Sequence, residues 1–389
     1  MDKTTDYIAW LGDIDFSARP FGDVDAVILC TLAYYDFGPL MQDAAGKRAR
    51  IFLRDAVPYI EDGKICIRIT GGEQGAGEVL KAAALSRRFG ELRLSDLADR
   101  FDPEKSLQFA AVTFSYKKDF SFMAFRGTDN SLAGWKEDFM AAYTETRAQK
   151  LAEQYAQRVF RKYRRGIRSP ADRRKWYIGG HSKGANLAAF AACRLPDEVL
   201  KKIEKVYVLD GPGFSPDVVP QKTIERIYGK AVRIIPEYSI IGRLMEVPYP
   251  DTKIILSSND GAMQHSITSW GVFHGGLAMS ELKEPKDRWI NETLKEWIDG
   301  MPAINRRALV SDLFDALGAG GAMTIEDIAG GGKDGIEAIL RGLAEVNGAT
   351  KDAISGLSSA ALDNIKKQIA GLFKRDKDAE TSGKGEDKR

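Results

Sequence analysis

Lys175-Trp-Tyr-Ile-Gly-Gly-His-Ser-Lys-Gly-Ala-Asn-Leu-Ala188 carries the most informative pattern in the sequence. Its apolar start, Trp176 to Ile178, predicts a short strand, and the small residues from Ala185 to Cys193 predict a helix. Between them, Gly180-His-Ser-Lys-Gly184 has the form G-x-S-x-G, whose glycines allow strand and helix to pass closely through a sharp turn. We expect Ser182 at the tip of this turn, where the N–H groups of the helix favour developing negative charge. The pattern predicts a nucleophilic serine; the alternative is a glycine-rich turn with an incidental serine.

Strands and helices alternate on both sides of this motif. Such alternation predicts an α/β fold with a mostly parallel sheet, flanked by helices, and a site at the carboxyl ends of the strands. The predicted strands are Gln108 to Tyr116 and Phe120 to Phe125, which form a hairpin, and then Lys205 to Leu209, Lys230 to Pro236 and Lys253 to Ser258.

Three regions follow from the patterning along the chain. Residues 1–300 carry the α/β pattern and form the predicted catalytic domain. Residues 301–374 contain amphipathic stretches separated by glycine-rich joints, which predict a helical C-terminal region. Residues 375–389 are charged and lack apolar anchors, so we expect a disordered tail.

The composition excludes several classes of protein. Hydrophobic residues make up 44% of the 389 residues and the net charge is only +2, so nucleic-acid binding is not expected. The sequence has no apolar run of about 18 residues, and its start lacks the features of a signal peptide. Cys30, Cys66 and Cys193 lie in apolar runs and predict buried thiols in a reducing, cytoplasmic setting. With only three histidines, we expect neither a metal site nor a cofactor.

A serine nucleophile needs a histidine base, and the sequence offers few candidates. His181 lies inside the motif and points away from its neighbour's hydroxyl. His265 follows the last predicted strand, which is the expected place for the base, whereas His274 is the alternative.

The sequence offers several candidates for the carboxylate that orients the histidine base. Asp210 directly follows the strand after the serine motif and precedes Gly-Pro-Gly, which places it at the same edge of the sheet. Glu237, after the next strand, and Asp260, on the loop of His265, are the alternatives.

Two backbone N–H groups are expected to form an oxyanion hole. One belongs to Lys183, the residue after the nucleophile, and the other to Thr128 in the turn Arg126-Gly-Thr-Asp129.

A basic stretch runs from Arg158 to Lys175. It is either a solvated helix end or a contact with an anionic membrane surface. The segments Gly71 to Arg100 and Glu137 to Pro170 are candidates for a lid over the site.

These motifs resemble those of known lipases. Phe125-Arg-Gly-Thr128, followed by Trp135, resembles the oxyanion segment of the class 3 lipases, and Gly180 to Ala188 resembles their serine motif. The chain from Tyr7 to about Leu317 resembles the bacterial, lipase-like Mbeg1-like family (DUF2974). Two of its segments match this family: Asp13-Ile-Asp-Phe-Ser-Ala-Arg-Pro-Phe21 and Gln264-His-Ser-Ile-Thr-Ser-Trp270. The resemblance implies an α/β-hydrolase fold with Ser182 as nucleophile and His265 as base.

The sequence departs from the class 3 lipases at the acid. Where those enzymes carry an aspartate, this chain has Ser239. Leu209-Asp-Gly-Pro212 instead resembles the acid segment of the pancreatic-type lipases, which favours Asp210.

The sequence therefore predicts a serine hydrolase that cleaves carboxylic esters, with lipid-like substrates, through an acyl-enzyme on Ser182. The alternative is a catalytically weak or inactive hydrolase-fold protein that serves as a binding or scaffold module. A third possibility is binding of an acidic polymer through Arg158 to Lys175.

Overall fold

The computed structural model describes residues 1–45, 50–67, 76–102, 107–128, 140–163, 174–239 and 241–282. The predicted regions 301–374 and 375–389 lie outside these residues, as does the end of the predicted 1–300 domain. The described residues form an eight-stranded sheet in which each strand lies beside the strand that precedes or follows it in the sequence.

The sheet has an antiparallel half and a parallel half. Neighbouring strands are antiparallel from β1 to β4 and parallel from β4 to β8. A short antiparallel pair, β9 and β10, follows the last strand. The strands are β1 (Ile51–Phe52), β2 (Arg93–Asp102), β3 (Leu107–Tyr116), β4 (Phe120–Phe125), β5 (Lys175–His181), β6 (Ile203–Leu209), β7 (Ala231–Pro236), β8 (Asp251–Ile255), β9 (Val272–Phe273) and β10 (Gly276–Leu277). The predicted hairpin and the later strands are confirmed to within a few residues.

Helices cover both faces of the sheet. On one face, α1, α2 and α5 pack with strand side chains into one apolar core, and on the other, α7, α8 and α10 build a second core. The helices are α1 (Thr4–Leu11), α2 (Asp23–Leu32), α3 (Gly38–Ala45), α4 (Val57–Glu61), α5 (Ala76–Leu85), α6 (Arg87–Gly90), α7 (Arg147–Lys162), α8 (Lys183–Cys193), α9 (Asp197–Leu200) and α10 (Gln221–Ile224). Helix α8 contacts β4, β5 and β6, so its first turn lies at the carboxyl ends of the central strands.

A buried ion pair anchors the N-terminal segment to this framework. The side chains of Arg88 and Asp25 are fully buried, and two guanidinium N–H groups donate to the carboxylate over 2.7 and 2.8 Å. The other three N–H groups of Arg88 donate to the backbone carbonyls of Ile14, Arg19 and Pro20. Every donor of the guanidinium is therefore satisfied.

The described residues answer two expectations from the composition. Cys30 and Cys193 are buried, but Cys66 is exposed, so the prediction of three buried thiols is wrong for Cys66. Across the described part of the chain, no helix combines the length and the apolar character needed to cross a membrane.

Candidate active site

The serine motif forms a strained turn between β5 and α8. Ser182 has φ 57° and ψ −131°, a conformation that a residue with a side chain rarely adopts. A Cβ atom at Gly180 would overlap the backbone of Gly184, and one at Gly184 would overlap the carbonyl of Phe125. The two glycines of the motif are therefore required by close backbone contacts, as the sequence predicted.

His265 lies between the serine and a carboxylate. Its Nε2 is 3.0 Å from Ser182 Oγ, and its Nδ1 is 2.7 Å from Asp210 Oδ2. Because a carboxylate only accepts hydrogen bonds, the proton is assigned to Nδ1, which leaves Nε2 to accept from the serine hydroxyl. The fold thus brings the three predicted residues into one chain of hydrogen bonds. His265 is 55 positions from Asp210 and 83 positions from Ser182 in the sequence.

Asp210 is fully buried directly after β6 and has a positive φ of 43°. Its second carboxylate oxygen accepts a hydrogen bond from the hydroxyl of Ser239, after the neighbouring strand β7. The alternative Glu237 instead accepts from Ser280 over 2.6 Å, and Asp260 is the N-cap residue of the 3₁₀ helix Gly261–His265. The structure therefore places Asp210 against His265.

His181, for which the sequence pattern predicts no role, is hydrogen-bonded to the loop that carries His265. Its Nε2 lies 2.8 Å from the backbone carbonyl of His265 and its Nδ1 lies 2.9 Å from the hydroxyl of Tyr34. A carbonyl only accepts, so Nε2 carries the proton and Nδ1 accepts from the tyrosine. Burial lowers the pKa of His181 well below its ordinary value, and the nearby His265 lowers that pKa further. A neutral imidazole thus fixes the backbone of His265.

Further contacts fasten the loop that carries His265. The indole N–H of Trp270 donates to the carbonyl of Gln264 over 3.0 Å. The Gln264 side chain accepts from the backbone N–H of Tyr238 over 2.9 Å, which ties this loop to the segment after β7. The first and last residues of Gln264-His-Ser-Ile-Thr-Ser-Trp270 therefore hold the loop between them in place.

The turn after β4 lies directly against the serine. A Cβ atom at Gly127 would be 3.1 Å from Ser182 Cβ and 2.5 Å from the carbonyl of His181, so only glycine fits there. The turn is held by Arg126, whose guanidinium pairs with Asp99 over two contacts of 3.2 Å. Thr128, 6% exposed, follows in this turn.

Lys183 begins α8 and is almost completely buried. Its Nζ is 3.5 Å from Gln108 Oε1 on β3. Its backbone N–H lies in the first turn of the helix, where such groups have no intrahelical acceptor. Of the two residues predicted for the oxyanion hole, Lys183 thus directly follows Ser182, and Thr128 follows Gly127, which lies against Ser182.

The last described residues of the basic stretch, Arg174 and Lys175, lie at the start of β5. Lys175 begins β5, whereas Ser182 follows the end of that strand. Several of its described cations have internal partners: Lys162 pairs with Asp96, Lys175 pairs with Glu204, and Arg174 donates to Ser121. Residues 164–173 lie outside the described part of the chain.

The two lid candidates include regular elements. Gly71 to Arg100 contains α5, α6 and most of β2, a strand inside the sheet, and Glu137 to Pro170 contains α7, which packs on α8. Strand β2 itself was not predicted from the sequence.

The geometry permits one kind of chemistry most directly. A hydroxyl, an imidazole and a carboxylate are hydrogen-bonded in order at the carboxyl ends of parallel strands, beside the N-terminus of a helix. Among the residues that the structure describes, no group of three or more His, Cys, Asp or Glu side chains is placed to hold a metal ion.

Lipases are among the solved structures that resemble this chain. M37 lipase is 16% identical, with 49% of this chain and 68% of that chain covered and a TM-score of 0.33. Lip2 lipase from Yarrowia lipolytica is 12% identical, with 46% and 70% covered and a TM-score of 0.31. Rhizomucor miehei lipase, in its propeptide complex, is 17% identical, with 42% and 57% covered and a TM-score of 0.27.

A comparison of sequences gives the family. No curated protein matches the chain. The chain has the predicted α/β-hydrolase fold, with a mostly parallel sheet between helices and a sharp strand-to-helix turn at Ser182. The Mbeg1-like family model matches residues 83–315, which is more than half of the sequence and includes Ser182, Asp210 and His265. The chain therefore belongs to the Mbeg1-like family.

Proposed function

We propose that this protein is a serine hydrolase that cleaves carboxylic esters, in the manner of a lipase or esterase. The observation that supports the proposal most is the continuous chain of hydrogen bonds from Ser182 through His265 to Asp210. A strained serine at the end of a strand, next to a helix N-terminus, is the second supporting feature.

In the proposed reaction, Ser182 Oγ attacks the ester carbonyl while His265 Nε2 takes the hydroxyl proton. Asp210 accepts the Nδ1–H of His265 and stabilises the imidazolium that forms. The same Nε2 proton then passes to the leaving alkoxide, which departs as the alcohol and leaves an acyl group on Ser182. Water, deprotonated by His265, attacks the carbonyl of this acyl-enzyme. The bond from the acyl carbon to Ser182 Oγ then breaks, His265 returns the proton to Oγ, and the carboxylic acid is released.

The oxyanion of each tetrahedral intermediate would be stabilised by the backbone N–H groups of Lys183 and Thr128. Lys183 follows Ser182 in the chain, and Thr128 follows Gly127, which packs against Ser182. Donors fixed in a site with little water contribute strongly because they need no reorganisation during the reaction.

A lipid-like acyl group is proposed from the likeness of Phe125-Arg-Gly-Thr128 and Gly180 to Ala188 to segments of the class 3 lipases.

Contact of Arg158 to Lys175 with an anionic membrane remains a separate proposal. Since Lys175 and Ser182 lie at opposite ends of β5, such a contact would not itself present the serine to the membrane. Flotation with vesicles of anionic and of zwitterionic lipid would test it, with salt-sensitive binding to the anionic vesicles as the expected result.

The proposal is tested by hydrolysis of p-nitrophenyl esters of increasing chain length. We expect turnover by the wild type, and loss of kcat by about 10⁴-fold or more in Ser182→Ala and His265→Ala. His274→Ala is the matched control, because His274 is exposed and stacks on Phe273, and it should keep wild-type turnover. A folded wild type that hydrolyses no ester would contradict the proposal and favour a binding or scaffold module.

A further inference from the structure

A fully buried amide pair connects the nucleophile helix with the loop that carries the acid. Asn186 lies four residues after Ser182, one turn along α8, and Gln149 is in the first turn of α7. Neither side chain is exposed. Buried amides are costly unless their donors are paired, so the partners of these two residues are informative.

The Asn186 side chain holds the peptide groups that follow Asp210. Its two amide N–H groups donate to the carbonyls of Pro212 and Gly213, over 3.1 and 3.0 Å. The reverse orientation of the amide would place its oxygen against two carbonyl oxygens, so the contacts fix the orientation. The Asn186 oxygen in turn accepts from Gln149 Nε2 over 2.8 Å.

Gln149 is itself held at three points. Its Nε2 also donates to the carbonyl of Ala141 over 2.9 Å. Its Oε1 accepts from the backbone N–H of Thr146 over 2.8 Å, as part of the capping box that begins α7. All four amide N–H groups of Asn186 and Gln149 are therefore used, and the pair has one arrangement only.

The connected loop carries stored strain. Asp210 and Ser182 both have positive φ angles, of 43° and 57°, which are strained for residues with a side chain and persist only where surrounding contacts impose them. The peptide after Asp210 also lies directly on the start of α8, since a Cβ atom at Gly211 would be 2.5 Å from Ala185 Cβ. Removing the two bonds from Asn186 would let this loop relax away from the helix.

We propose that Asn186, oriented by Gln149, is a positioning residue for the triad: it fixes the distance between the nucleophile helix and the acid-bearing loop, and so keeps Asp210 on His265 Nδ1. Through this pair the first turn of α7 is coupled to the carboxylate, although α7 contributes no group to the chemistry. The catalytic part of this inference rests on the proposed function, but its structural part does not.

The structural part is tested by proton NMR of the Nδ1–H that His265 shares with Asp210, which resonates far downfield when that hydrogen bond is held. We expect this resonance to broaden or disappear in Asn186→Ala and in Gln149→Met, a substitution that keeps the volume of Gln149 but removes its donors. Gln157→Met is the matched control on the same helix, since among the described residues the Gln157 side chain bonds to Glu153 alone, and it should keep the resonance. Circular dichroism identifies the variants that are folded, and Gln149→Met decides the question if Asn186→Ala does not fold.

The catalytic part is tested by ester kinetics of the same variants. A triad displaced by a fraction of an ångström should lower kcat by about 10- to 100-fold, with KM changed by no more than about twofold. A resonance and a kcat that are unchanged in folded Asn186→Ala and Gln149→Met would overturn the inference. If the wild type hydrolyses no ester, the proposed function fails, and the NMR result alone still decides the positioning role.

Discussion

Two buried aspartates in this protein are equally shielded from water but have different partners. Asp25 pairs with Arg88, a permanent cation whose five N–H groups are all bonded to the carboxylate and to backbone carbonyls. Asp210 pairs with His265, whose side chain is 15% exposed and whose second nitrogen reaches the Ser182 hydroxyl. The first pair has no proton to move, whereas the second ends on a group that can exchange one.

The backbone around the two aspartates also differs. Asp25 lies in the regular helix α2 and Arg88 lies in helix α6, and Asp25 also accepts from the Tyr7 hydroxyl and from the N–H of Gly22. The Asp210 pair connects two loops at the strand ends, and both Asp210 and Ser182 have strained φ angles. Burial of a carboxylate is thus compatible with anchoring or with proposed catalysis, and its partner and backbone distinguish the two.

The largest expected effect is on activity, at Asp210. Asp210→Asn should lower kcat for ester hydrolysis by about 10⁴-fold, because an amide N–H facing His265 favours the wrong imidazole tautomer. The variant should remain folded, since Asn keeps the volume and can still accept from Ser239. Asp260→Asn and Glu237→Gln, made at the two alternative acids, are the controls, and a comparable loss in either of them would assign the acid elsewhere.

The next effect is on stability, at the other pair. Arg88→Met leaves Asp25 buried without its cation and should lower the free energy of unfolding by about 3–5 kcal/mol, measured by urea denaturation. The double variant Asp25→Leu/Arg88→Met should recover much of this loss, because no unpaired charge is left inside. The folded fraction of both should keep its kcat, and a selective loss of kcat would contradict the purely structural role of this pair.

The sequence predicted the local parts of this architecture and site well. The turn at Ser182 and the hairpin before it are determined by neighbours in the chain, so glycine spacing and apolar runs are enough to find them. The expected places of Asp210 and His265 then followed from the ends of the predicted strands that they come after. His265 was favoured over His274, and Asp210 over Glu237 and Asp260, and the structure brings the favoured pair together.

The contacts that position the site could not be predicted in this way. Tyr34 and His181 are 147 residues apart, and Gln149 and Asn186 are 37 apart, on elements whose packing no local pattern reveals. Strand β2 was missed because its sequence, Arg93-Leu-Ser-Asp-Leu-Ala-Asp-Arg100, mixes charges and apolar residues without strict alternation. Its pairing with β3 and the bulge between Ser95 and Ala98 are set by tertiary contacts.

A smaller effect is expected on the pH dependence of stability, through His181. Its pKa is lowered by burial, so the native state keeps it neutral while the unfolded chain is protonated below the ordinary value of 6.5. The unfolded state then binds more protons, and stability falls as the pH drops below that value, by up to about 1.4 kcal/mol per pH unit. In His181→Gln this contribution is absent, so the difference in unfolding free energy between wild type and variant should shrink between about pH 7 and about pH 5. Urea denaturation across this range checks it, and an unchanged difference would contradict a buried neutral imidazole.

The smallest effect is expected at Ser239, whose hydroxyl donates to the second oxygen of Asp210. Ser239→Ala removes one hydrogen bond to the carboxylate, worth about 1–2 kcal/mol, and should lower kcat by about 5- to 30-fold. Ser239→Thr, which keeps a hydroxyl, should retain more activity than Ser239→Ala. Equal kcat in the wild type and Ser239→Ala would show that His265 alone is enough to hold the carboxylate.

The central claim, that Ser182 is an activated nucleophile, is tested most directly by mapping a covalent adduct. The purified wild type would be treated with a fluorophosphonate, and the modified peptide identified by mass spectrometry. We predict one phosphonylated residue, Ser182, with labelling abolished in Ser182→Ala, strongly slowed in His265→Ala and unchanged in His274→Ala. A folded wild type that remains unlabelled, or an adduct on a different serine, would contradict the claim.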